Sequence, residues 1–328
     1  MHIVTGGAGF IGSAMVWKLN QMGVDDILVV DNLAESEKWK NLVNLRYADY
    51  MHRDEFLARV TAGGDPFGVR AVVHMGACSS TTERDADFLM RNNTGYTKAV
   101  CHYALAAGAR FLNASSAATY GGGEFGFSDD HAGMARLKPL NMYGYSKQLF
   151  DLWAARAGVL DKVACIKFFN VFGPNEYHKG DMKSVICKAH KQIREEGLMR
   201  LFRSHRADYP DGGQMRDFVY VKDCVNILWW LLEHPEACGL INVGTGIART
   251  WNDLAGAVFA AMGLPPRIEY IDMPEVIRDK YQYLTRAEMG KLRAFGYTAP
   301  FMSLEDAVRD YVTNYLAKDD PYLDSREL

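Results

Sequence analysis

The sequence predicts an α/β fold: a Rossmann-type doubly wound parallel sheet with a smaller, discontinuous α+β domain. Three observations predict it. Apolar runs of strand length alternate with helix-length amphipathic stretches as far as Asn170, the pattern of parallel strands joined by crossover helices. The first run, His2-Ile3-Val4, ends at Thr5 and leads into Gly6, Gly9 and Gly12 at the spacing G-x-x-G-x-x-G. The second run, Ile27-Leu28-Val29-Val30, stops at Asp31, where a carboxylate can accept hydrogen bonds from a ribose.

Each glycine has a physical reason. The first permits the tight turn, the second lets the backbone approach a pyrophosphate, and the third lets the following helix lie against the sheet. That helix, over 13–22, has Met15, Val16 and Leu19 as apolar positions. Its free N–H groups and positive dipole end suit phosphate. A polar segment, 32–41, carries Asn32 and Lys38. Residues 45–50 read as a strand ending near Asp49, with Arg53 shortly after, and 54–61 as a short helix broken by Gly63-Gly64-Asp65-Pro66.

Ala71-Val72-Val73-His74 is a buried-strand run that ends in Met75-Gly76-Ala77-Cys78-Ser79. Small residues at the carboxyl edge of an open parallel sheet mark the place where ligands bind. A long helix over 87–107 carries Asn92. The next strand, 110–115, delivers Ser116 and the segment to Gly121 to the same edge. A polar loop runs to Pro139, followed by a helix over 141–157 and a strand over 162–169 that ends at Asn170.

Beyond Asn170 the pattern changes. Val171-Phe172-Gly173-Pro174 breaks it, and His178-Lys179-Gly180 is a basic loop. Helix is expected over 182–196, a basic, glycine-containing loop over 203–215, strand over 217–221 and helix over 222–234. A strand over 240–243 ends at Gly244-Thr245-Gly246. Helix 251–262, strand 268–271 and helix 303–316 complete the chain. A cofactor domain is expected over 1–170 plus 217–243, and a substrate-binding domain over 171–216 plus 244–328.

The length of 328 residues allows two lobes. A net charge of −3 gives no electrostatic case for nucleic acid or an anionic membrane. No apolar run approaches the roughly 18 residues of a membrane span. The first strand starts too early to leave room for a signal peptide, so a cytoplasmic protein is expected. The six cysteines are scattered without a C-x-x-C pair, as for reduced thiols rather than a disulfide frame or zinc site. The nine histidines are dispersed, and no metal is expected.

Tyr143 and Lys147 are four apart on one expected helix and share a face. A phenol has a reference pKa of about 10, and an ammonium beside it favours the phenolate. Near a nicotinamide such a pair can move the proton of an alcohol while hydride leaves its carbon. Ser116 is placed to orient the reacting hydroxyl.

The segments TGGAGFIG (5–12), HMGA (74–77), SSAATYG (115–121), YGYSK (143–147), FFNVFGP (168–174), RDFVYV (216–221) and NVGTG (242–246) occur in this order along the whole chain. With them the chain resembles the extended short-chain dehydrogenase/reductases, the NAD-dependent epimerase/dehydratase family. GACSSTTE (76–83), ASSAATYGG (114–122) and the HKG loop (178–180) make it similar to the ADP-L-glycero-D-manno-heptose 6-epimerases within that group. The resemblance implies interconversion of the D-glycero and L-glycero epimers of ADP-heptose. C6 would be oxidised transiently with bound NADP, and hydride returned to the opposite face. It also implies a role in building the lipopolysaccharide core and a homo-oligomer, a pentamer in the family.

The resemblance carries residues over position by position. Tyr143, Lys147 and Ser116 match catalytic positions, and Lys179 matches a second base. Gly6, Gly9, Phe10, Ile11, Gly12, Asp31, Asn32, Lys38, Arg53, Met75, Gly76, Ala77, Cys78, Ser79, Asn92, Tyr143, Lys147, Val171 and Lys179 match cofactor contacts. Lys38 and Arg53 together suit a 2′-phosphate, whereas Asp31 alone would argue for NAD. Asn170, Asp181, Lys188, Phe202, Arg203, Ser204, His205, Arg216 and Tyr281 match substrate contacts. Departures are Met75 for an acid, Arg53 for a lysine, Asp181 for a serine, Lys188 for a histidine, and a longer 203–215 loop.

Three other readings stay open. A nucleotide-sugar dehydratase would carry Asp-Glu after Ser116, where this chain has Ala117 and Ala118. A UDP-hexose 4-epimerase would share the scaffold without the HKG loop. A non-catalytic NAD(P)-sensing protein would lose Tyr143 or Lys147.

Overall fold

The computed structural model describes residues 1–278 and 281–326. Its strands and α-helices run β1 (His2–Thr5), α1 (Phe10–Gln21), β2 (Ile27–Asp31), β3 (Asp49–His52), α2 (Arg53–Thr61), β4 (Ala71–His74), α3 (Ala86–Leu89), α4 (Tyr96–Ala106), β5 (Arg110–Ser116), α5 (Met142–Arg156), β6 (Val163–Phe168) and β7 (Asn170–Phe172). The second half adds α6 (Val185–Glu196), β8 (Met199–Phe202), β9 (Met215–Tyr220), α7 (Val221–Glu233), β10 (Gly239–Val243), β11 (Ala248–Thr250), α8 (Trp251–Ala261), β12 (Ile268–Ile271), α9 (Glu275–Arg278), α10 (Gly290–Ala294) and α11 (Leu304–Tyr311).

Seven parallel strands form the central sheet in the order β10-β6-β5-β4-β1-β2-β3. Alternation along each strand feeds two cores. Val4, Val29, Val73, Leu112 and Ile166 face the layer of α1 and α7. Ile3, Leu28, Val72, Phe111 and Cys165 face the layer that includes Val100 of α4 and Phe150 of α5. Both faces are covered, so these strands read as continuous apolar runs. Burying each such side chain contributes about 1.5–3 kcal/mol. The strand order reverses between β1 and β4, and the crevice at their carboxyl ends is the topological switch point.

Two smaller sheets lie outside the central one: β11-β9-β7 and β12-β8. Within 217–243, β10 pairs with β6 in the central sheet and α7 packs on α1. β9 instead pairs with β7 in parallel and β11 antiparallel.

Some boundaries differ from expectation. The strand expected at 45–50 lies at 49–52, because Leu45 N–H closes a turn onto the Leu42 carbonyl. The helix expected over 87–107 contains a π-helical turn, Met90–Gly95, between α3 and α4. The helix expected from 182 starts at Val185 behind an N-cap at Ser184, with a 3₁₀ stretch over Tyr177–Met182 before it.

Candidate active site

A cleft of about 850 Å³ opens along the carboxyl edge of β1, β2, β4 and β5. Its floor begins with the glycine loop. Gly6 has φ +63, and a Cβ there would lie 2.6 Å from the Gly76 nitrogen. A Cβ on Gly12 would lie 2.0 Å from the Gly6 carbonyl oxygen. The backbone therefore closes on itself and on the 75–79 segment with no room for side chains. No side chain caps α1 at Gly9, and its first turn carries no acid. The free N–H groups and dipole are thus available to an anion.

At one end of the cleft the Asp31 carboxylate accepts from Ala8 N–H at 2.9 Å, from Asn32 N–H at 2.7 Å and from Lys38 Nζ at 2.6 Å. Arg53 opens α2 and donates to Asn92 Oδ1. Its Nε is buried and lies in an ion pair with Asp54 Oδ1 at 3.4 Å. A glycine cradle, an uncapped helix end and the Lys38 and Arg53 cations lining the cleft fit a phosphate-bearing dinucleotide.

The 75–79 segment is fixed from below. Gly76 N–H donates to Thr5 Oγ1 at 3.3 Å, and Thr5 Oγ1 lies 2.6 Å from His74 Nδ1. His74 is fully buried, and desolvation first, then the Lys147 charge, push its pKa down to about 3. It is a neutral structural ring. Asn93, in the π turn, accepts from Cys78 N–H at 2.9 Å and donates to the Cys78 carbonyl and to Ser146 Oγ, both at 3.0 Å. That side chain ties the 75–79 segment to α5.

α5 carries Tyr143 and Lys147, and its N-cap Asn141 accepts from Gly144 N–H. Ser116 ends β5 and accepts from Ala118 N–H at 3.0 Å. The Tyr143 pKa is raised by burial, with the Ser116 hydroxyl pulling the other way. The sequence reading expected Lys147 to lower it. Lys147 Nζ instead donates to the Ala114 carbonyl at 2.7 Å, and burial lowers its own pKa to about 8. Desolvation is the larger effect on both groups.

Lys179 enters from the 3₁₀ stretch that follows β7. Its Nζ sits 5.3 Å from the centroid of the Phe10 ring, and burial lowers its pKa. Its turn is anchored by the buried Glu176, which accepts from Ser184 Oγ at 2.6 Å, Ser184 N–H, and Tyr311 OH at 3.0 Å.

Every expected catalytic and cofactor residue lines this one cleft, as do Asn170 and Asp181. Thr5, Phe88, Tyr96, Phe169, His178 and Met182 line it too and were not singled out. Thr5, Phe169 and His178 fall within the TGGAGFIG, FFNVFGP and HKG segments, whereas Phe88, Tyr96 and Met182 carried no sequence signal.

The remaining expected substrate residues lie elsewhere. Lys188 donates to the Asp181 carbonyl and lines a neighbouring depression. Arg216 is buried, with its guanidinium 5.1 Å from the Tyr281 ring centroid and 5.7 Å from that of Trp251. It makes no salt bridge among the described residues. Phe202 packs edge-on against Tyr281 at 6.3 Å. Arg203 pairs with Asp272 at 3.4 Å, Ser204 N–H donates to Asp211, and His205 N–H donates to Tyr283 OH. These residues form an aromatic and cationic cluster beside the cleft.

A family model, the NAD dependent epimerase/dehydratase family, matches residues 2–244. A curated relative from Nitratidesulfovibrio vulgaris strain Hildenborough, named ADP-L-glycero-D-manno-heptose-6-epimerase, is 68% identical over 323 residues, which is 98% of this chain and 100% of that one. A relative of the same name from Fusobacterium nucleatum is 47% identical, again over 98% and 100% of the two chains. The crystal structure of the Helicobacter pylori ADP-L-glycero-D-manno-heptose-6-epimerase is similar in fold. Its TM-score is 0.81 at 24% identity, covering 97% of this chain and 96% of that one.

Proposed function

The chain belongs to the NAD dependent epimerase/dehydratase family, and from that premise we propose that it is an isomerase that interconverts ADP-D-glycero- and ADP-L-glycero-D-manno-heptose. The relatives of high identity carry that name over their full length. The structural observation that carries the reading is the meeting of Tyr143 and Lys179 in one cleft, from α5 and from the turn after β7. Inversion at C6 needs proton handling in two orientations of one small group, and a single acid/base serves only one.

The assigned cofactor is NADP. When bound, its nicotinamide supplies reversible hydride acceptance. Gly6, Gly9 and Gly12 give the diphosphate room, with Phe10, Ile11 and the 75–79 segment around it. Both oxygens of Asp31 are already occupied by backbone N–H groups and Lys38. Lys38 and Arg53 are therefore assigned to the 2′-phosphate that distinguishes NADP from NAD. Asn32, Asn92 and Val171 complete the contacts.

Tyr143 holds its proton at neutral pH and serves as the acid towards a C6 carbonyl oxygen, with Ser116 steadying that oxygen. In the reverse sense the phenolate left by that transfer accepts the hydroxyl proton. Lys179, whose ammonium is disfavoured by burial, serves as acid/base for the other orientation. Arg216 suits a diphosphate oxygen of the substrate: a buried guanidinium without a carboxylate partner seeks an anion. Asn170, Asp181, Lys188, Phe202, Arg203, Ser204, His205 and Tyr281 are the remaining substrate contacts.

A cofactor lobe over 1–170 plus 217–243 is supported by β10 and α7. A cytoplasmic homo-oligomer, a pentamer, follows the resemblance. No helix among the described residues is long and apolar enough to cross a membrane.

The test is incubation of purified protein with ADP-D-glycero-D-manno-heptose and no added cofactor, following C6 configuration by NMR. A mixture of both epimers is expected. No conversion, with NADP or NAD supplied, would overturn the reading.

A further inference from the structure

We propose that Asn175 is a positioning residue for Lys179: its side-chain amide holds the turn that bears this acid/base in register with helix α1, at the floor of the cofactor cleft. This rests on the reading of Lys179 as an acid/base. Asn175 stands between the FFNVFGP segment and the HKG loop. It does not line the cleft, so it acts through another residue.

Its backbone conformation is one that most side chains avoid. Asn175 has φ +74, and asparagine is among the few residues besides glycine that enter this region. The 3₁₀ stretch Tyr177–Met182 follows, with Gly180 at φ +54 inside it. Lys179 thus rides on a short turn with a left-handed residue on either side of it. Asn175 is wholly buried.

Both ends of the amide are fixed. Oδ1 accepts from Leu323 N–H at 3.0 Å, and Nδ2 donates to Ser13 Oγ at 2.9 Å. A backbone N–H only donates, so the oxygen faces Leu323 and the NH₂ group faces Ser13. Ser13 Oγ gives its one proton to the Phe10 carbonyl at 3.2 Å, which leaves it to accept from Asn175. The Asn175 carbonyl accepts from Asn41 Nδ2 at 3.0 Å, and Asn41 also holds the Ala8 carbonyl of the glycine loop at 2.9 Å.

These contacts close on the base. Phe10 opens α1, and its ring lies 5.3 Å from Lys179 Nζ. The path runs from the Asn175 amide to the Ser13 hydroxyl, to the Phe10 carbonyl, from the Phe10 ring to the Lys179 ammonium, and back along the chain. Lys179 N–H donates to the Glu176 carbonyl at 3.1 Å within that chain. The turn has other anchors, but they lead to later segments: the Glu176 carboxylate to Ser184 and Tyr311, and Tyr177 OH to the Pro321 carbonyl at 2.8 Å. The amide of Asn175 is what sets the turn against the helix on which the cofactor diphosphate is assigned. A proton-transfer group must be held within a fraction of an ångström of its productive place, and Lys179 comes from outside the central sheet that carries the cofactor.

The test is NMR progress curves of the holoenzyme with ADP-D-glycero-D-manno-heptose, giving kcat and KM, with bound cofactor per chain and thermal melting measured alongside. Asn175→Gly keeps the positive φ and removes only the amide. It should lower kcat about tenfold or more and leave KM and bound cofactor within about twofold of wild type. Ser13→Ala, which removes a single hydroxyl and keeps the fold, should lower kcat in the same way. The double variant should be no slower than Asn175→Gly, because both changes break one link. Unchanged kcat in either single variant, a loss shared by KM or bound cofactor, or losses that multiply in the double variant overturns the inference alone. If Lys179→Met turns over like wild type, the reading of Lys179 falls and this inference with it.

Discussion

At the scale of single residues, burial decides the chemistry more than neighbouring charge does. Tyr143 and Lys147 sit on one helix face, as their spacing requires, but each is pushed towards its neutral form by desolvation. Sequence shows the spacing and not the desolvation, which depends on how β5, β6 and the 75–79 segment close around α5. Tyr143→Phe removes the proton carrier without changing shape. It should lower kcat by about 10²–10⁴ while NADP binding and the melting temperature stay as in wild type; unchanged turnover would remove Tyr143 from the mechanism. Lys147, with a pKa of about 8, carries its charge below that pH and loses it above. The alkaline limb of kcat/KM in the free enzyme should therefore fall through about 8, and the limb should vanish in Lys147→Met. Stability runs the other way. The unfolded lysine holds its proton to about pH 10.4, so this group's folding penalty is full below pH 8 and eases as pH rises beyond it.

At the scale of elements, the site depends on a few side chains that fasten one segment to the next. Asn93 joins the 75–79 segment to α5 through Cys78 and Ser146. Asn93→Leu keeps the volume but leaves the Cys78 backbone groups without partners. A loss of roughly 1–3 kcal/mol is expected in urea unfolding, with kcat reduced because Tyr143 and the segment no longer share a reference. Beneath them, Asp151 on α5 accepts from Lys167 on β6 at 2.8 Å and from Ser115 on β5 at 2.7 Å, with the ion pair fully buried. Asp151→Asn would strand the Lys167 charge and should cost about 3–5 kcal/mol. Asp151→Asn with Lys167→Met should recover much of it, and failure to recover would show that Lys167 is not what the aspartate neutralises. The glycine loop, Asp31 and the strand-helix alternation were legible in the sequence because each is a local signal. The π turn at Met90–Gly95 and the three-residue β7 were not, since neither has a periodicity to read. β9 looked like any apolar strand, and its partners β7 and β11 are set by tertiary pairing.

At the scale of the whole molecule, the expected site divides into two places. The cofactor and acid/base residues gather in the cleft, whereas Phe202, Arg216 and Tyr281 form the aromatic cluster beside it. The sequence reading put Phe202, Arg216 and Tyr281 in the substrate-binding domain, and Arg216 lies on β9, outside the central sheet. Two places predict two separable linkages. A ligand that binds only the folded state at 100 times its Kd stabilises by about 2.7 kcal/mol. For a chain of this length that is a rise of about 4 °C in melting temperature, taking an unfolding entropy of about 2.1 cal/mol/K per residue. NADP at that excess should give one such shift, and ADP, added with NADP saturating, should give another. Arg216→Gln should erase the ADP shift and spare the NADP shift. Lys38→Ala should do the reverse, bringing NADP down to the shift given by NAD. If Arg216→Gln erased both shifts, the cluster and the cleft would be one site, and the placement of the substrate diphosphate beside Tyr281 and Trp251 would have to be abandoned.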